Sequence, residues 1–259
     1  MSLKRIWHLF LIDVRLFFRR WVWVMLLLAL LLLVFSFGMG WLRSLFPADL
    51  QVTFYLGLDM FLLGGVWCFL SSLAFSDLHT QGEGFYLLLP ASPVEKFVSK
   101  LLGSVIVYPL VGFVVLFLYS LFTMLIIYYL TGTLIPVFFP FYGWLWHWYL
   151  FFFVLQAWFF WGSVVFSHLA FVKTTLLLFG VSFLLSFFST PLLQFLFGTV
   201  VSWNGIVLYS TKGVVPPSLA KGIFDSLFWT GRVLFYLSAF VAYGLAYRRF
   251  VRYEVTHGV

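Results

Sequence analysis

The sequence predicts an all-α integral membrane protein, six transmembrane helices preceded by an amphipathic interfacial N-terminal helix, with both termini cytoplasmic. Three observations carry that reading. Of 259 residues, 64% are apolar and 9% charged, with a mean hydropathy of +1.09; soluble domains run at about 45–50% apolar and about 25% charged. A chain of this size folded in water would need far more polar surface to cover itself. Six apolar stretches also reach the roughly 20 residues a spanning helix needs, and the basic residues fall between them rather than within them.

Residues 1–20 come first. On a helical wheel, Lys4, Arg5, His8, Arg15 and Arg19 gather within a third of the circumference, and Leu3, Ile6, Trp7, Phe10, Val14, Phe17 and Phe18 lie opposite. Leu9, Ile12 and Leu16 fit this division less well, while Asp13 and Arg20 stand off the basic face. The pattern reads as a helix in the membrane interface with its apolar side in the acyl region; a plain extension of the first span is the alternative. No small-residue cleavage site follows, so a signal peptide is not expected.

The spans are expected at 21–41, 52–75, 101–130, 144–166, 174–197 and 228–247. They are too long for the roughly 10-residue alternating strands of a membrane barrel, and lipid cannot satisfy an open sheet edge. Orientation follows from Lys and Arg. With the N-terminus inside, the cytoplasmic segments hold Lys4, Arg5, Arg15, Arg19, Arg20, Lys96, Lys100, Lys173, Arg248, Arg249 and Arg252, against Arg43, Lys212, Lys221 and Arg232 outside. An even number of spans returns the C-terminus to the cytoplasm. The net charge of +7 is thus explained by topology, and no basic stripe with base-stacking geometry points to nucleic acid.

Between the second and third spans, the cytoplasmic loop 76–100 holds a turn at Gln81-Gly-Glu-Gly84, a short apolar piece ending at Pro90, and then a helix start. Ser92 is placed as N-cap, Pro93 at the first helical position and Glu95 at the third, which is the capping-box arrangement. Lys96 and Lys100, four apart, lie on one face at the mouth of the third span. The segment 198–227 before the last span, with Pro216, Pro217 and several glycines, is expected to form short helices dipping into the outer leaflet.

The run LLPASPVEKFVSKLL, from Leu88 to Leu102, resembles the permease subunits of the type-2 ABC exporter family, in which a Leu-Pro-x-Ser segment and a helix ending in Lys-Leu-Leu open the third span. The topology is similar along the whole chain; at motif level the likeness covers this loop. The resemblance implies an ATPase-coupling loop comprising Glu83, Gly84, Pro90, Ser92, Pro93, Glu95, Lys96 and Lys100. It further implies a second permease subunit, identical or homologous, and a cytoplasmic membrane of bacterial type. No Gly-x-x-x-x-Gly-Lys-Ser/Thr occurs, so the chain has no phosphate-cradling loop; ATP and Mg would be bound by a partner ATPase, and the chain itself is expected to be no enzyme and to hold no cofactor.

Ionisable or amide side chains at membrane depth default to functional candidates. Asp59 in the second span and Gln156 in the fourth are candidates for a translocation path or an intramembrane pair; Asp59 could pair with Arg43 or Arg232. Gln194 and His147 are weaker, and Gly64-Gly65 would let helices approach closely. Asp77, His79 and Glu83 match no metal-ligand spacing; Ser163 and His168 lack an orienting third group; the single cysteine, Cys68, reads as a buried small residue. Two other functions stay open at this point: a non-transporting membrane scaffold or sensor, and an ion-coupled carrier using Asp59.

Overall fold

The computed structural model describes residues 4–15, 61–78, 91–132, 146–197, 200–203, 206–209 and 217–257. These residues are almost wholly helical. In chain order they form α1 (residues 4–15), α2 (Phe61–Ser71), a 3-10 turn (Ser76–Leu78), α3 (Pro93–Leu102), a π-helical turn (Gly103–Val107) and α4 (Tyr108–Thr131). There follow α5 (Trp146–Val165), α6 (Ala170–Phe197), a hairpin of β1 (Val200–Trp203) and β2 (Ile206–Tyr209), and α7 (Pro217–His257). Three helical stretches, Pro93–Ile126, Trp146–Val165 and Ala170–Ser189, are long and apolar enough to cross a membrane, and α2 is a shorter apolar helix. The expected span at 21–41, Asp59, and the loop residues Glu83, Gly84 and Pro90 lie outside the described residues.

Local chemistry sets the helix ends. Ser92 Oγ accepts from the Glu95 N–H at 3.3 Å, and the Ser92 N–H donates to Glu95 Oε2 at 3.2 Å, so α3 opens with the expected capping box and Pro93 in its first turn. α4 stops at Gly132, whose φ of 69° is left-handed and whose N–H closes on Tyr128 O at 2.9 Å; only glycine takes that conformation without a Cβ penalty. The turn between α5 and α6 instead places Leu169 at a φ of 53°, a conformation that costs a branched side chain about 1–2 kcal/mol.

Two helix ends and one segment differ from the expected pattern. α2 ends at Ser71 rather than at residue 75, because tighter turn bonds take over, Leu73 N–H to Leu70 O and Ala74 N–H to Ser71 O. α6 begins four residues earlier than expected, at Ala170. The described residues of the segment before the last span form two strands and the start of a long helix in place of short helices. Val200 pairs with Tyr209 and Trp203 with Ile206 in an antiparallel hairpin, and α7 then runs for 41 residues without a break. The cause was legible: β-branched runs on either side of Asn204-Gly205, a dipeptide that favours two-residue hairpins. At about 1.5 Å per residue, α7 spans about 60 Å, twice the hydrocarbon thickness of about 30 Å.

The core lies between α5 and α7. Val154 and Ala157 meet Ala239 and Ala242, small residues that let backbones approach closely where lipid supplies no hydrophobic drive for association. Towards the end of α7 the filling becomes aromatic. Phe75, Phe97, Phe160 and Phe250 form one cluster, with Phe75 5.2 Å from both Phe160 and Phe250 and Phe97 5.6 Å from Phe160. Glycines admit large side chains: a Cβ at Gly64 would fall inside the Phe152 ring, and one at Gly112 would sit 2.7 Å from Leu63 Cδ1. Gly65 faces open space, so only the first glycine of the pair serves a close approach.

Candidate functional site

The loop that the sequence singles out becomes, from Ser92 onward, a helix tied by side-chain bonds to both α1 and α7. α3 carries Glu95, Lys96, Ser99 and Lys100, and all four are buried, with Lys96 only 2% exposed. A lysine buried to that degree requires a carboxylate partner. Lys96 Nζ finds Glu254 Oε1 of α7 at 2.6 Å, and Lys100 Nζ finds Asp13 Oδ1 of α1 at 2.9 Å. Ser99 Oγ donates to Asp13 Oδ2 at 2.5 Å. Because Lys96 and Lys100 stand one turn apart on the same face, the two terminal helices attach to adjacent turns of α3. Tyr253, next to Glu254, adds a hydrogen bond from its hydroxyl to Leu78 O at 2.7 Å. This end of the molecule is a latch that joins α1, α3, α7 and the turn after α2.

Asp13 also changes how α1 is read. The acid that stood off the basic face marks the buried face, together with Ile6 and Leu9. Trp7, Leu11 and Ile12 are exposed, so the helix has a docked sector, an apolar sector and a basic sector rather than two halves.

One turn further along, α3 passes into α4 through the π turn. There the Tyr108 N–H donates back to Gly103 O. Ser104 O is thereby deprived of its usual donor four residues on, and the next residue, Pro109, has no N–H to offer. An orphaned carbonyl in an apolar interior costs several kcal/mol. Trp67 of α2 supplies the missing donor, its Nε1–H reaching Ser104 O at 2.8 Å. The Ser104 hydroxyl donates to Leu101 O at 3.0 Å and accepts from Gln156 Nε2 at 3.0 Å, while Tyr243 OH donates to Gln156 Oε1 at 2.5 Å. The chain Trp67–Ser104–Gln156–Tyr243 therefore bridges α2, the π turn, α5 and α7. Single π turns within helices occur often at functional joints.

Among the expected site residues, Glu95, Lys96 and Lys100 thus stand together and inward, Ser92 is exposed at the tip of α3 with Val94, and Pro93 is half-buried. Gln156 is fully buried in the polar chain. His147 and His168 are exposed, and Ser163 donates to Phe160 O of its own helix at 2.7 Å rather than meeting His168. Cys68 is buried. Among the described residues no three His, Cys, Asp or Glu side chains converge as a metal site requires. Sequence reasoning passed over Asp13, Glu254, Ser104, Tyr243 and Trp67. A signal existed for the first two: in a chain with eight acids, each is a lone acid within a basic terminal segment, which is where an inward ion pair is to be sought. For Ser104 the signal was Pro109 five residues on; Tyr243 and Trp67 gave none.

No family model, no curated protein and no solved structure matches this chain, so the likeness to exporter permeases rests on the residues from Leu88 to Leu102 and on the order of the apolar segments.

Proposed function

We propose that the chain is the transmembrane permease subunit of an ATP-driven exporter, moving its substrate by alternating access when a separate ATPase subunit docks on the segment between the second and third spans. Six spans, cytoplasmic termini, a cytoplasmic membrane and a second permease subunit belong to the same proposal. The observation that supports it is the construction of α3. Its tip, Ser92 and Val94, is exposed, whereas the next two turns are tied by buried charge to both ends of the chain. A push on the tip would therefore be carried to α1 and α7 together. The π turn, held through Trp67 and Gln156, is a joint at which α3 could pivot on α4. In this reading Ser92, Pro93 and the loop before them meet the ATPase, Glu95 sets the tip by capping, and Lys96 and Lys100 transmit the movement.

The test uses cysteine crosslinking, which the burial of Cys68 makes selective. Ser92→Cys and Val94→Cys, purified from membranes with associated proteins, are expected to crosslink to a polypeptide that binds ATP and carries a P-loop. Purification of an active transporter with no ATPase attached and no crosslink at either position would overturn the proposal.

A further inference from the structure

Charge at the latched end is sorted by side in a way the linear sequence hides. Its acids turn inward: Asp13 is 8% exposed against Ser99 and Lys100, Glu95 is 2% exposed in the capping box, and Glu254 reaches Lys96. Two cations, Lys96 and Lys100, turn inward to meet Glu254 and Asp13, while Lys4, Arg5 and Arg15 on α1 and Arg248 and Arg249 on α7 are exposed. The acids Asp13 and Glu254 are thus matched by buried lysines rather than by the exposed cations, and the outer surface formed by these described side chains is cationic. Apolar surface adjoins it in order. On α1 the sector next to the basic one holds Trp7 and Leu11, both exposed, and Trp7 stacks on Phe10 at 5.3 Å. On α7 an exposed stripe of Leu234, Leu237, Val241 and Leu245 leads within a turn to Arg248 and Arg249.

Apolar surface, then an aromatic ring, then cations is the order of acyl chain, interface and headgroup in a bilayer. A nucleic acid or an acidic protein would match the cations and leave Trp7, Leu11 and the α7 stripe unexplained. We infer that this end binds negatively charged phospholipid headgroups, with Lys4, Arg5 and Arg15 on one side and Arg248 and Arg249 on the other contacting phosphate oxygens while Trp7 and Leu11 enter the acyl region. The inference requires a membrane setting and does not rest on a transport role.

The full chain in neutral detergent, offered phosphatidylglycerol or phosphatidylcholine and examined by native mass spectrometry, is expected to retain phosphatidylglycerol preferentially, with the preference fading as salt screens exposed charge. The pair Arg248→Gln/Arg249→Gln, and separately Lys4→Gln/Arg5→Gln, should weaken phosphatidylglycerol binding roughly fivefold per charge removed and leave phosphatidylcholine unchanged; Arg248→Lys/Arg249→Lys should keep the preference. Equal retention of the two lipids, a preference untouched in both glutamine variants, or tighter capture of a labelled oligonucleotide than of phosphatidylglycerol would overturn it.

Discussion

α5 and α6 are consecutive, of similar composition and joined by a four-residue turn, yet they live in different surroundings. Half of the apolar stretch of α5 is covered by the rest of the chain, against 6% for α6. Apolarity does not separate them, since in lipid it gives helices no reason to associate. What separates them is shape and polar pairing. α5 offers Ala157 and Gly162 to close neighbours and sends Gln156 and Trp158 across to Ser104 and Ser238. On α6 Thr175 donates to Phe171 O in its own first turn, and Phe179, Phe183, Leu185 and Phe188 point outward. Among the described residues the two meet where Thr174 is seated against Gly162 and where Phe171 stacks on Phe159 at 5.1 Å. In this protein a helix is internal because specific groups hold it there.

That contrast can be broken hardest at the latch, because α5 is covered mainly by α7 and α7 is tied down through Glu254. Lys96→Met leaves the half-buried Glu254 without its partner, which should cost up to about 3 kcal/mol. Thermal unfolding in detergent can be followed with a thiol-reactive dye that reports when buried Cys68 is uncovered; an unchanged transition would mean that the ion pair contributes nothing to the fold. Glu254→Gln, which sets the more deeply buried Lys96 against an amide instead of a carboxylate, should cost a similar amount.

The second effect tests shape alone. Gly162→Ala drives a Cβ into Thr174, whereas Gly180→Ala on α6 meets open space. Overpacking should destabilise the first by about 1–3 kcal/mol, and better helix propensity should leave the second level or raised by at most about 1 kcal/mol. Two variants of the same sign in the dye assay would show that α6 is not the open helix described here. Smallest, Gln156→Leu removes two interhelical hydrogen bonds, each on the order of 0.6 kcal/mol in a membrane interior, while Phe183→Leu on the outer face of α6 should stay within about 0.5 kcal/mol. Equal losses at 156 and 183 would argue that the polar chain at the π turn holds nothing together.

Composition and residue spacing alone determined a good deal: helices of spanning length where α4, α5 and α6 stand, the capping box at Ser92 and Glu95, and the placement of Lys96 and Lys100 on one face of α3. These are legible because each depends on residues within a few turns of one another, through hydrogen-bond geometry and the cost of polar groups in lipid. The pairing of β1 with β2 is equally local, between β-branched runs a few residues apart. Only the tertiary structure decided that Lys96 and Lys100 face inward, that Asp13 and Glu254 meet them, and that Trp67 completes the carbonyl which Pro109 leaves bare. Those partners are separated by tens to more than a hundred residues, and the choice among the few acids and donors in the chain is made by which helices come to lie side by side. The same holds for α5 and α6, whose sequences specify two apolar helices and whose packing alone makes one internal and leaves the other facing outward.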